Sequence, residues 1–186
     1  MLPALAVFAV VIFLPAIWFI AMYNRLARIR QHMRESWAGI DVELKRRYDL
    51  IPNLVQTVKG YARHEQETLQ RVIELRNQAE ANTGTAAAQA VDESALMIGL
   101  QRLFVVSEAY PDLKSNENFL ALQKELSNTE DRIAASRRFF NANVRELNQL
   151  CEMFPTSLAA RMFGFQSATY FELESKAERV VPKVEI

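Results

Sequence analysis

Cysteine and histidine are nearly missing from this sequence. A single cysteine, Cys151, leaves no intrachain disulfide and no cysteine-clustered zinc site, and one free thiol suits a reducing compartment. Five glycines and six prolines in 186 residues are few for a β protein built on tight turns. Neither sign of charge is in excess: 22 basic and 22 acidic side chains cancel, which removes the positive footprint of a general nucleic-acid binder. The phosphate-cradling patterns G-x-x-x-x-G-K and G-x-G-x-x-G are absent, and so is the nucleophile elbow G-x-S-x-G.

Charge is also missing from one stretch of chain. Met1 to Tyr23 carries none, although the remainder is dense in Lys, Arg, Asp and Glu and the mean hydropathy is only −0.07. Leu2 to Met22 reads LPALAVFAVVIFLPAIWFIAM. About 20 apolar residues at 1.5 Å each span roughly 30 Å, the hydrocarbon thickness of a bilayer. Pro15 is tolerated in such a helix better than in water, and Trp18 and Tyr23 lie toward one end, where amphipathic rings favour the interface. No basic residue precedes the run and no A-x-A site follows it, so it reads as a membrane span rather than a cleaved signal. Arg25, Arg28, Arg30 and Arg34 lie on its C-terminal flank. By the positive-inside rule the larger part of the chain is cytoplasmic and the short N-terminal end faces out. The same four arginines form a basic flank suited to anionic headgroups, or serve only as a topology signal.

The expected organisation is a transmembrane anchor over 1–23, a helical bundle over 24–164, and a tail over 165–186 that is extended and partly docked. Met33, Trp37, Ile40, Leu44, Ile51, Leu54, Val58 and Tyr61, then Val72, Leu75 and Ala79, follow steps of three and four or their multiples, the signature of a packed helix face. Asp41 with Lys45 and Glu43 with Arg47 are placed for i,i+4 ion pairs. Pro52 has no N–H for the carbonyl of Tyr48, so a kink or short break is expected between Asp49 and Asn53, with Asp49 as a possible N-cap. Ala81 to Ala88 reads as a loop, and a second helix as about Asp92 to Tyr110. A third begins after Ser115, read as its N-cap, and closes at Pro155. A short helix over Thr156 to Phe163 is expected to end at Gly164 in a left-handed cap. The fold class is therefore all-α: one transmembrane helix, then an elongated antiparallel bundle of three to four long helices.

Catalytic groupings are thin. His64-Glu65 opens HEQET, but Thr68 stands where an H-E-x-x-H zinc motif requires its second histidine. His32 is the other histidine, and neither has a glutamate three residues before it, so Glu108, Glu125, Glu130 and Glu146 lack the partners of a dinuclear iron site. No metal or cofactor is expected. The densest charge cluster is Lys45-Arg46-Arg47, either a solvated face or a dock for a partner or lipid beside Pro52. Arg137-Arg138 is a companion cluster able to pair with Glu43 or Glu130.

Four stretches carry a family likeness: WAGIDVELKRRYDLIPNLVQTVKGYARHE from Trp37 to Glu65, EAYPDLK from Glu108 to Lys114, NFLALQKELSNTEDRIAASRRFFN from Asn118 to Asn141, and FPTSLAARMFGF from Phe154 to Phe165. In order and spacing, and with Tyr23-Asn24 after the apolar run, the chain resembles the LemA family of bacterial membrane proteins. LemA-like proteins commonly carry a tyrosine before the asparagine at Phe140-Asn141 and Leu147-Asn148; this chain lacks those hydroxyls and any hydrogen bonds they would make. The resemblance implies a membrane-anchored helical bundle in the bacterial inner membrane and no particular reaction. It offers Asp41, Lys45, Arg46, Arg47, Asp49, Pro52, Asn53, His64 and Glu65 as candidates for a shared surface.

Three functions follow in order of expectation. First is a non-enzymatic scaffold or adaptor, binding a protein partner or a second copy of itself at the cytoplasmic face. Second is a membrane-organising protein that binds anionic lipid. Third is an enzyme using His64 and Glu65.

Overall fold

The computed structural model describes residues 2–173. Among them there is no strand, and six helices follow one another: α1 Leu2–Tyr61, α2 Gln66–Ala81, α3 Ala86–Ser107, α4 Pro111–Lys114, α5 Glu117–Glu152 and α6 Thr156–Met162. The fold is all-α, with a long apolar N-terminal helix ahead of the others.

Of the kink or short break expected at Pro52, the break is not there. α1 runs unbroken through Pro15 and Pro52 and ends only at Tyr61, so Asp49 caps nothing. The backbone acceptor that Pro52 leaves unfilled is the Tyr48 carbonyl, and a different donor reaches it: Arg76 Nε from α2, at 3.1 Å. The same guanidinium lies 5.9 Å from the Tyr48 ring centroid and binds Glu80 through Nη2 at 3.1 Å. A tertiary donor thus replaces the missing helical one, and the helix continues. The chain breaks instead at Ala62–Glu65, beginning two residues past Gly60, separating α1 from α2.

Other boundaries shift for identifiable reasons. α3 begins at Ala86, about six residues before the expected start, because the Thr85 side chain accepts from the Ala88 N–H as an N-cap. Ser115 ends α4 rather than starting α5; the cap of α5 is Asn116, whose Oδ1 accepts from the Phe119 N–H at 3.0 Å. α6 ends as expected, with Gly164 at φ +71°. The Phe165 N–H reaches the Ala160 carbonyl at 2.9 Å and the Gly164 N–H reaches that of Arg161 at 3.2 Å, the paired bonds of a Schellman cap. In the tail, Phe165 and Phe171 are buried, and residues 174–186 lie outside the described residues.

The chain divides into two compact units. Unit 1 comprises residues 1–38 and 138–168. Its core joins Leu26 and Ile29 of α1 to Leu147 and Leu150 of α5, Ala160 of α6 and Phe165. Trp37 packs against Phe140 with ring centroids 5.3 Å apart, and Arg25 meets Glu146 at 3.1 Å. Rising numbers on α5 therefore match falling numbers on α1, an antiparallel pair. Phe140 and Leu147, the positions without a tyrosine hydroxyl, are both buried, so no buried O–H needs a partner there.

Unit 2 comprises residues 39–137 and 169–186, of which 169–173 are the described part of the tail. Ile40, Leu44, Ile51, Leu54 and Val58 of α1 are buried with Leu69, Val72, Leu75 and Ala79 of α2, Leu96, Leu100 and Leu103 of α3, and Leu126 and Ile133 of α5. The α2–α3 pair is antiparallel, since Gln78 reaches Asp92 at 2.7 Å while Leu75 lies against Gly99. A Cβ at Gly99 would fall 2.8 Å from Leu75 Cδ1, so the missing side chain leaves room for the tip of Leu75.

The Arg76–Tyr48 contact gives a double-mutant test. Arg76→Ala is expected to cost about 1–3 kcal/mol, the usual penalty for stranding a polar group. In a Pro52→Ala background, where residue 52 regains its N–H, that cost should shrink. Denaturant unfolding of the four chains in detergent reads the coupling; an unchanged cost would mean that Arg76 does not replace the lost donor.

Candidate functional site

The polar residues of α1 separate onto two faces. Ile40, Leu44, Arg47, Ile51, Leu54 and Val58 step by four and three, and all are buried. Arg47 thus occupies a core position in the middle of an apolar stripe, only 1% exposed. This corrects the expectation that it belongs to a surface with Lys45 and Arg46. On α3 the steps Gln89, Glu93, Leu96, Leu100, Leu103 and Ser107 have the same period and are also buried. Glu93 occupies the matching polar position and is 1% exposed.

A buried charge is tolerated only when paired, and Arg47 is paired twice. Its Nη2 faces Glu93 Oε2, and its Nη1 donates to Glu130 Oε1 on α5 at 2.7 Å. Tyr48 Oη donates to Glu93 Oε1. Gln89 Nε2 lies 2.8 Å from that same oxygen, 3.1 Å from Tyr48 Oη and 3.0 Å from the Ala79 carbonyl. Beside them the Thr129 hydroxyl, fully buried, donates to the Glu125 carbonyl within α5 at 2.8 Å. One polar layer therefore ties α1, α2, α3 and α5 together.

Two expected ion pairs are replaced by this layer. Arg47 turns into the core toward Glu93 and Glu130 instead of along the helix to Glu43, whose Oε2 is buried with no hydrogen-bond partner among the described residues. Glu130, being taken by Arg47, does not serve the Arg137-Arg138 cluster. Burial pushes the Tyr48 phenol up to about 12, against the opposing pull of the Arg47 charge and the Gln89 hydrogen bond.

The remaining sequence-derived positions are scattered. Asp41, Lys45, Asp49 and Asn53, four apart, line the exposed face of α1, and Arg46 at its edge meets Glu125 at 3.4 Å. Pro52 is half-buried. His64 is exposed in the turn between α1 and α2, and Glu65 immediately precedes α2 without a side-chain cap bond. His64 and Glu65 therefore precede the helix on which an H-E-x-x-H zinc motif would have to lie. Of the basic flank, Arg25 binds Glu146, Arg28 reaches the Asn24 carbonyl at 3.4 Å and Arg30 lies 4.7 Å over the Phe165 ring; Arg34 is exposed. Among the described residues no group of three His, Cys, Asp or Glu side chains is placed to hold a metal ion. An open cleft of about 300 Å³ between α2 and α3 has Glu67, Arg71 and Arg102 on its walls, and none of the sequence-derived site residues lines it.

The family profile that matches this chain is that of the LemA family, over residues 36–186. The chain belongs to the LemA family. The match starts just before the Trp37–Glu65 stretch, so it covers the polar layer and the exposed ridge of α1 but not the apolar run. Relatives within reach are distant. Protein LemA of Metamycoplasma hominis is 25% identical over 163 residues, 87% of this chain and 74% of its own. Magnetosome protein MamQ of Magnetospirillum gryphiswaldense is 23% identical over 193 residues, 90% of this chain and 70% of its own. Magnetosome protein MamQ 2 of Paramagnetospirillum magneticum is 24% identical over 196 residues, covering 92% and 71%.

Two measurements test the polar layer of this LemA-family chain. Arg47→Ala leaves two carboxylates without their cation and should cost about 3–5 kcal/mol; adding Glu93→Gln should recover part of that, read by thermal unfolding. For Tyr48, the folded state holds the phenolic proton more tightly than the unfolded chain, whose pKa is about 10. Its contribution to stability is therefore complete below pH 10 and is lost as the pH rises toward about 12. Difference ultraviolet titration of the parent chain against Tyr48→Phe should show the Tyr48 phenol ionising only as the pH approaches about 12.

Proposed function

We propose that this protein is a membrane-anchored, non-enzymatic scaffold that holds a protein partner at the cytoplasmic face of the bacterial inner membrane. The observation that carries this reading is the two-sidedness of α1 in unit 2. One face is sealed into the core; the other presents Asp41, Lys45, Asp49 and Asn53 as a ridge with both signs of charge. Val42, 66% exposed, adds an apolar contact beside the ridge. A helix face of this kind suits docking of a partner helix, with charge setting register and the apolar side chain excluding water.

The anchor supports the same reading. Among the described residues, one helix is long and apolar enough to cross a membrane. The arginines at its C-terminal flank favour retention of the domain in the cytoplasm. Arg47, Glu93, Glu130, Tyr48 and Gln89 bind one another across the helices, an arrangement that holds the bundle in register.

In-cell crosslinking of the full-length protein, followed by mass spectrometry, tests the proposal. Asp49→Ala and Lys45→Glu change exposed side chains and should alter stability by no more than about 0.5 kcal/mol. A specific crosslinked partner should appear with the parent chain and be lost with both variants. Capture that persists in both would remove the ridge from consideration. Crosslinks to further copies of the chain alone would make the partner a second protomer.

A further inference from the structure

Where α5 gives way to α6, unit 1 exposes apolar side chains that its core does not use. Phe154 is 81% exposed, Met162 62%, Met153 60%, Leu158 52% and Phe163 37%. The opposite side of α6 is small and packed: Ala159 and Ala160 are buried, and Ala160 joins the core with Leu26, Ile29 and Phe165. This short helix is thus seated by its alanines and turns its large side chains outward. Soluble surfaces seldom gather five such residues within eleven positions of chain.

The location of the corner indicates what covers it. The Phe163 ring meets the Tyr23 ring edge-on with centroids 5.0 Å apart, and the Phe165 ring lies 6.1 Å from Tyr23. Met22 packs against the same core cluster. Tyr23 ends the charge-free run of α1, and Arg25 is the first charge after it. α6 therefore lies level with the place where α1 changes from lipid-compatible to water-compatible. Its exposed Arg161 has the stem length to reach a phosphate while the apolar side chains sit lower.

We propose that the α5–α6 corner, Met153 to Phe163, dips into the interfacial layer of the bilayer as a second membrane contact beside the span. The occupant is lipid at the boundary of headgroup and acyl chain, the depth at which amphipathic surface helices lie. The inference rests on reading the apolar part of α1 as a membrane span.

Depth measurement by spin labelling tests it on the full chain in vesicles of phosphatidylethanolamine and phosphatidylglycerol. With Cys151→Ala as background, single labels are placed through Ile12→Cys, Phe139→Cys, Phe154→Cys and Leu158→Cys. Phe139 is an apolar control in the same unit, 58% exposed but neighbouring the residue that packs on Trp37. Fourteen helical residues, roughly 21 Å, separate Trp37 from Tyr23. All four parent side chains are well exposed, so labels do not disturb the core. The ratio of collision with oxygen to collision with a water-soluble nickel chelate should be several-fold higher at 154 and 158 than at 139. A lipid-like ratio at Ile12 with a water-like ratio at 154 and 158 overturns the corner and leaves the span intact. Protection of 154 and 158 from both reagents means that protein covers them, and also overturns it. A water-like ratio at Ile12 removes the span reading and the inference with it.

Discussion

The guanidinium of Arg47 sits where a leucine would satisfy the helical pattern of α1. Placing a charge there is costly unless carboxylates approach from neighbouring helices, and Glu93 of α3 and Glu130 of α5 do so. The requirement is geometric as well as electrostatic. Sliding α3 by one turn would move Glu93 about 5.4 Å from Arg47 and leave its carboxylate in apolar surroundings. An all-leucine seam would accept that slip at modest cost; this one does not. Tyr48 and Gln89 complete the constraint by occupying the other oxygen of Glu93 and extending the layer to the carbonyl of Ala79 in α2.

The position of this layer was legible in the sequence, but its burial was not. Arg47 falls in the same three-four series as Ile40, Leu44, Ile51 and Leu54, and Glu93 falls in series with Leu96, Leu100 and Leu103. A polar residue at a core position of each of two helices is the signal that could have paired them. Adjacent Lys45 and Arg46, both exposed, concealed it by making the triplet look like a solvated face. Helix type, the Gly164 cap and the loop before α3 follow from local chemistry and were readable. Continuity through Pro52 was not, because the donor that repairs it, Arg76, stands 28 residues from Tyr48 in sequence. Local rules count the lost hydrogen bond and cannot count its replacement.

The exposed positions divide according to what surrounds them. Asp41, Lys45, Asp49 and Asn53 point away from a packed face, whereas Arg25 and Arg30 are already engaged with Glu146 and Phe165. That engagement leaves fewer arginines for a collar around the span than the sequence offers. The ridge lies within the region that the LemA family profile matches.

Synthesis proceeds from α1 to α5, so Arg47 is made 83 residues before Glu130. At about 5–20 residues per second the interval is roughly 4 to 17 seconds. Through the first part of it α1 carries a lone cation in the middle of its apolar seam, until Glu93 of α3 is made. Closing that seam on an unrelated apolar surface would bury the cation without a carboxylate, a cost that favours the helices supplying acid at the right height.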